Sequence, residues 1–170
     1  GYRGEEFKKK TYLQLGKFEI EDQIDAAKWL SKMSFVDGNN IGHWGWSYGG
    51  FMSSWIVGHT NRFKVASIGA PVVDLAHQNL TDDIEGFLPS YFQSNPWDDW
   101  SKYDAHSPLR FVQNVKTPVM LQHGEADVAE HRGALTALFV ALKTCALFHA
   151  VFTKLDGESS ALAAAQEGSR

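Results

Sequence analysis

The residues of this sequence best suited to chemistry lie in Gly45-Trp46-Ser47-Tyr48-Gly49-Gly50. A serine hydroxyl is a weak nucleophile until it is lifted out of the main chain and set beside a base and donors that stabilise an anion. A Gly-x-Ser-x-Gly turn between a strand and a helix does the lifting, if the residues two before and two after the serine let strand and helix pass closely. Gly45 and Gly49 are expected to supply that room. Asn40 to Trp44 reads as a buried strand and Phe51 to Gly58 as a helix. Ser47 is therefore the candidate nucleophile, and the Tyr48 backbone N–H, at the helix N-terminus, is a candidate oxyanion donor. A second candidate group, His123-Gly124-Glu125-Ala126-Asp127, follows the short apolar strand Val119 to Gln122. Working groups collect at the carboxyl ends of strands in an open α/β sheet. Asp127, 80 residues after Ser47, is thus the candidate acid that would orient a histidine. His123 precedes that acid and reads as an inward-facing structural residue.

The elements that must position these groups follow from periodicity. Ile20, Ile24, Ala27 and Leu30 recur at helical spacing, and Glu19, Glu21 and Asp22 load the first turn with charge that suits the helix dipole. This predicts a helix over 20–32 with those acids on a solvated face. Val36-Asp37-Gly38-Asn39 is a turn into a strand over 41–46, and the helix after Ser47 runs to about Gly58. A further strand over 65–69 makes a parallel crossover the economical topology. Residues 1–18 suggest a surface loop. From Pro71 to Pro118 there is no strong period, only aromatics among acids, and a long insertion after a catalytic strand commonly carries a binding pocket. Trp44, Trp46 and Trp55 read as core or rim packing.

Composition narrows the function. The 170 residues suffice for one domain with a real core, and 44% hydrophobic with 13% aromatic residues fits a packed protein. A net charge of −4 argues against a nucleic-acid face, and Lys8-Lys9-Lys10 is the only basic run. No apolar run approaches the length needed to cross a membrane, and no signal peptide is read. Cys145 is alone, so no internal disulfide forms, and it reads as a buried filler. No zinc-type spacing exists; neither a metal nor a cofactor is expected. Because the sequence opens Gly1-Tyr2-Arg3-Gly4 without methionine, it is expected to come from something larger, and its compartment stays undetermined.

Taken together, these motifs resemble the catalytic domain of the prolyl oligopeptidase family of serine peptidases. Leu15 to Asp25 with GWSYGG is similar to the dipeptidyl peptidase IV branch. Asn95-Pro96-Trp97, Ser107-Pro108-Leu109, Val115-Lys116-Thr117-Pro118 and HGEAD are similar to the acylaminoacyl-peptidase branch. The resemblance runs from about Gly1 to Val128. It implies an α/β-hydrolase fold, mostly parallel with helices on both faces and incomplete at both ends, beneath an upstream β-propeller that gates access of a peptide substrate. A homodimer is within the family's range. It further implies Ser47 as nucleophile, Asp127 as triad acid, Tyr48 as oxyanion donor and pocket wall, and Val72 and Tyr91 on that wall. The second oxyanion donor and the propeller residues that hold a substrate's amino terminus would lie upstream of Gly1.

The departure from the family pattern begins after Val128, where a basic residue, a valine and a proline are expected and Ala129-Glu130-His131 stands instead. Ten alanines fall in residues 129–170 against seven in the preceding 128, while every tryptophan, tyrosine and proline lies earlier. Residues 1–128 therefore read as a partial catalytic domain and 129–170 as a divergent segment of the kind a frame change or a chimeric end leaves. Leu135 to Thr144 keeps helical periodicity and Leu147 to Phe152 could make a strand. The family's triad histidine belongs in a loop written approximately Gly-Glu-x-His, and here Gly157-Glu158-Ser159-Ser160 stands there. The expected function is a serine peptidase acting through an acyl-enzyme at Ser47, with the histidine missing near Ser159 or Ser160. The alternatives are an inactive relative serving as an interaction domain and an esterase on the same fold.

Overall fold

A computed structural model describes residues 2–82, 84, 86–124, 137–142 and the backbone of 151–155. Four short strands form its sheet: β1 (Gly42–Trp46), β2 (Val65–Gly69), β3 (Val119–Gly124) and β4 (Val151–Leu155). They pair in the order β1-β2-β3-β4, every pair parallel. One register row runs Gly45, Ile68, Leu121 and Phe152 across the sheet. Parallel pairing puts the carboxyl ends of all four strands at one end of the sheet, where the turn after β1 leaves it.

Burial alternates as a half-covered sheet requires. Ala66, Ile68, Val119 and Leu121 are buried on the face that also carries His43 and Gly45. Helix α3 (Tyr48–His59) lies against that face, and its Val57 joins those four side chains in one cluster with Leu138 and Leu142 of the helical stretch 137–142. The other side of α3 presents Phe51, Met52 and Ile56 to a second cluster built with Ile20 and Ala27 of α2 (Phe18–Leu30). Being covered on both sides, α3 is apolar nearly all round rather than amphipathic. Helices flank the parallel sheet in an α/β-hydrolase-like arrangement, as the resemblance implies, with α3 on this face. The opposite face turns Trp44 and Val65 outward, 68% and 49% exposed, so Trp44 is not packed as expected.

Two regions hold more structure than periodicity suggested. Residues 1–18 contain a short α1 (Glu5–Lys8) followed by a 3-10 turn, stabilised at the surface by the Lys8–Glu5 ion pair at 2.9 Å. Between β2 and β3 stand α4 (Leu75–Thr81), α5 (Phe87–Phe92), α6 (Trp100–Ala105) and a 3-10 stretch over Pro108–Asn114. Each is too short to show a period, and capping starts two of them: Asp74 accepts from the His77 N–H at 3.0 Å and Asp99 from the Lys102 N–H at 3.2 Å. Phe92 and Tyr103 then bury their rings edge to face, 4.8 Å apart. The described part of the last strand is Val151–Leu155, overlapping the expected Leu147 to Phe152, and the described helix 137–142 falls within the expected 135–144.

Candidate active site

Ser47 occupies the single residue between β1 and α3 with φ 57° and ψ −118°, a conformation that costs a non-glycine residue roughly 1–3 kcal/mol. The turn is pinned from both sides: the Ser47 N–H donates to the Gly69 carbonyl at 3.0 Å and the Phe51 N–H donates to the Ser47 carbonyl at 2.9 Å. Ser47 is exposed at the carboxyl end of the sheet. The strained strand-to-helix turn that the sequence motif calls for is therefore present.

The glycines that permit it differ from expectation. A Cβ on Gly45 would overlap the Gly49 carbonyl, so Gly45 is needed as expected. A Cβ on Gly49 would meet nothing within 4 Å; what matters at that position is its backbone passing over Gly45. Gly50 supplies the second close approach, since its Cβ would overlap the Gly69 carbonyl and stand 3.0 Å from Pro71 Cα.

Behind the turn, a polar chain crosses the α3–sheet interface. His43 Nε2 lies 2.8 Å from Gln23 Oε1 and His43 Nδ1 lies 2.9 Å from Ser53 Oγ, which is 2.7 Å from the Gly49 carbonyl. Phe63 meets the imidazole edge-on at 4.9 Å. Burial pushes the His43 pKa below its ordinary value. Strand alternation could have placed His43 inward, but not its partners on two other elements.

Tyr48, the first residue of α3, donates its hydroxyl to Glu19 Oε1 at 2.7 Å, and the Gly16 N–H donates to the same oxygen at 2.7 Å. Burial first, and then the bond to and charge of Glu19, raise the Tyr48 pKa well above the ordinary tyrosine range. Glu19 thus departs from the expected solvated face, and its Oε2 is buried with no hydrogen-bond partner. Glu21 and Asp22 are exposed as expected.

Ser47, Tyr48 and Val72 share the wall of a cavity of about 210 Å³. Val72 lies on that wall; Tyr91 is not among its described lining residues and packs its ring at a tilt against Phe87, which is, at 5.2 Å. Sequence reasoning missed the opposite wall. There α4 and its C-cap contribute Leu75, Gln78 and Asp82, and α5 contributes Leu88. The spacing 75, 78, 82 is one helical face, a signal present in the sequence but lost among residues with no longer period.

His123 is 1% exposed and donates from Nδ1 to the Gly124 carbonyl at 2.8 Å, so it turns inward as expected. Asp127, His131, Cys145, His149, Ser159 and Ser160 lie outside the described residues. Among the described residues no group of three or more His, Cys, Asp or Glu is placed to hold a metal ion, and no helix is long and apolar enough to cross a membrane.

A strained serine turn at the carboxyl end of a parallel sheet, opening on an apolar cavity, is the geometry of a serine hydrolase, and the match to known proteins decides among them. The family model for the prolyl oligopeptidase family matches residues 1–158. The chain belongs to this family. It is a serine-peptidase-like catalytic domain, and the family match continues beyond Val128 into the alanine-rich segment. The chain is 33% identical over 145 residues to the uncharacterized peptidase YuxL of Bacillus subtilis, covering 84% of this chain and 22% of that protein. It is 36% identical over 135 residues to dipeptidyl peptidase 4 of Felis catus, covering 77% of this chain and 17% of that protein. In structure it is similar to acylaminoacyl peptidase of Pyrococcus horikoshii, with a TM-score of 0.82 at 21% identity over 98% of this chain and 27% of the other; this likeness shows the fold. The chain thus spans about a fifth of the length of the curated relatives it matches.

Proposed function

We propose that this prolyl oligopeptidase family domain is built to cleave peptide bonds through an acyl-enzyme at Ser47. The observation that carries the reading is the backbone of Ser47, held at φ 57° at the mouth of the apolar cavity. In such a reaction Ser47 Oγ bonds to the substrate carbonyl carbon and gives up its proton to a base. The carbon–nitrogen bond then breaks as the leaving amine takes that proton, and water releases the acyl group. The Tyr48 backbone N–H, at the start of α3, is the donor for the oxyanion. Asp127, which follows β3 in sequence, is the acid that would orient the base. The cavity between Tyr48, Val72 and α4 takes the side chain preceding the scissile bond. The resemblance adds an upstream β-propeller, with the peptide passing it to reach Ser47, and a homodimer as the assembled form.

The test is covalent. In the intact parent protein, exposure to an alkyl fluorophosphonate followed by peptide mass spectrometry is expected to place an adduct on Ser47 ahead of every other serine and to lose it in Ser47→Ala. An adduct elsewhere, or one that persists in the variant, overturns the assignment.

A further inference from the structure

Asp82 is the only charged side chain among the described residues that line the cavity beside Ser47. Most of that wall is apolar: Leu15, Phe51, Val72, Leu75 and Leu88 face the same space. Asp82 sits one turn beyond Gln78, and both of its oxygens are held by neutral donors. Gln78 Nε2 donates to Oδ2 at 3.2 Å and the Ile84 N–H donates to Oδ1 at 3.2 Å. These bonds fix the direction of the carboxylate without neutralising it. No lysine, arginine or histidine is among the described lining residues. A fixed negative charge against low-dielectric walls focuses its field into the space between them. At about 210 Å³ the cavity is smaller than the ~300–1,000 Å³ of a drug-sized ligand site, and so is matched to a single side chain.

We infer that Asp82 makes this cavity selective for a side chain with an apolar stem and a cationic tip, so that the preferred peptides carry lysine or arginine before the bond to be cut. The inference rests on the reading of Ser47 as nucleophile for its place in a reaction, but not for the binding preference itself. The stem gains from leaving water along Leu75 and Phe51, while the tip gains a charge-assisted contact that a neutral side chain lacks. An aliphatic side chain of equal length would fill the same space and leave the carboxylate without a counter-charge.

The experiment compares Nα-acetyl-lysine N-methylamide with Nα-acetyl-norleucine N-methylamide, which share a four-carbon stem and differ in the ammonium. Dissociation constants are read from amide chemical shifts of Tyr48, Leu75 and Gln78 in the full chain. The lysine compound is expected to bind about tenfold or more tightly at low salt, since a hydrogen bond to a charged group adds that much. The gap should narrow as ionic strength rises. Asp82→Asn, which keeps an acceptor for Ile84, should abolish the gap. Equal binding of the two compounds, a gap that survives Asp82→Asn, or binding of neither overturns the inference. Ser47→Ala should leave the lysine preference intact. A wrong nucleophile therefore shows as failed fluorophosphonate labelling of the intact parent protein with the preference preserved, and a wrong role for Asp82 as the reverse.

Discussion

Tyr48 and Glu19, 29 residues apart, are joined by a hydrogen bond of 2.7 Å that ties the residue after the candidate nucleophile to the first turn of α2. Because the same carboxylate oxygen accepts from the Gly16 N–H, Glu19 holds both the cavity wall and the left-handed Gly16 that leads into α2. Glu19→Ala would leave a hydroxyl and a partly buried amide without their acceptor, at a cost of about 1–3 kcal/mol for each group that water cannot reach. Glu19→Gln keeps a carbonyl acceptor and should cost less. Urea midpoints of the two variants test this ranking; equal losses would show that the contact is incidental.

The same bond sets an alkaline response. Tyr48 holds its proton more tightly in the folded chain than in the unfolded one. Above pH 10, near the ordinary tyrosine value, the unfolded chain therefore releases a proton that the folded chain keeps, and stability falls as pH rises through that range. In Tyr48→Phe this part of the alkaline loss should disappear. His43 works at the other end, since its pKa is lowered by burial. Below about pH 6.5 the unfolded chain takes up a proton that the folded chain resists, so stability is lost as pH falls through and below that point. His43→Gln should flatten the stability profile between pH 7 and pH 5, measured as the difference from the parent chain. An unchanged acid limb would place the sensitivity on another histidine.

Ser47 itself is predicted to be a destabilising choice. Its φ of 57° suits glycine, so Ser47→Gly should be more stable than Ser47→Ala by about 1 kcal/mol or more in urea unfolding. That would be stability given up for chemistry at a functional turn. If glycine gives no advantage over alanine, the turn is not strained.

The glycines around it separate cleanly. Gly49→Ala introduces a Cβ that meets nothing inside a helix, where alanine is favoured over glycine by about 1 kcal/mol, so the variant should be as stable as the parent or more so. Gly45→Ala and Gly50→Ala would drive a Cβ into the carbonyls of Gly49 and Gly69 and should each cost more than about 2 kcal/mol. Thermal unfolding of the three variants gives the order directly. A severe loss in Gly49→Ala would contradict the geometry.

What the sequence disclosed, and what it withheld, divides along range. The strands at 42–46, 65–69 and 119–124 and the helices at 18–30 and 48–59 fall within a few residues of where apolar period and turn residues place them, because each is specified by its own neighbours. The short helices α4, α5 and α6 were not legible. They depend on single caps such as Asp74 and Asp99 and on burial of Phe92 and Tyr103 against distant residues. At the site, Ser47 was visible through its glycines, whereas Glu19 and Asp82 were not. Period assigns a residue to a helix face but says nothing of what comes to meet that face, and their partners are brought there by the tertiary fold.

The family pattern asks for a histidine where Ser159 and Ser160 stand, and no histidine follows His149 in the sequence. A serine hydroxyl cannot take a proton near neutral pH, so Ser47 would lack the base that its chemistry needs, and removing a triad base can cost on the order of 10⁶ in turnover. The chain as written is therefore expected to release the dye from peptide anilides, those with lysine or arginine before the bond included, no faster than its Ser47→Ala variant. Ser160→His alone should not restore activity. One imidazole does not supply the family pattern that Ala129-Glu130-His131 replaces. Robust hydrolysis that vanishes in Ser47→Ala would show the expectation wrong and point to His131 or His149 as the base. Separate His131→Ala and His149→Ala variants, followed across pH 5 to 8, would then tell which imidazole accepts the proton.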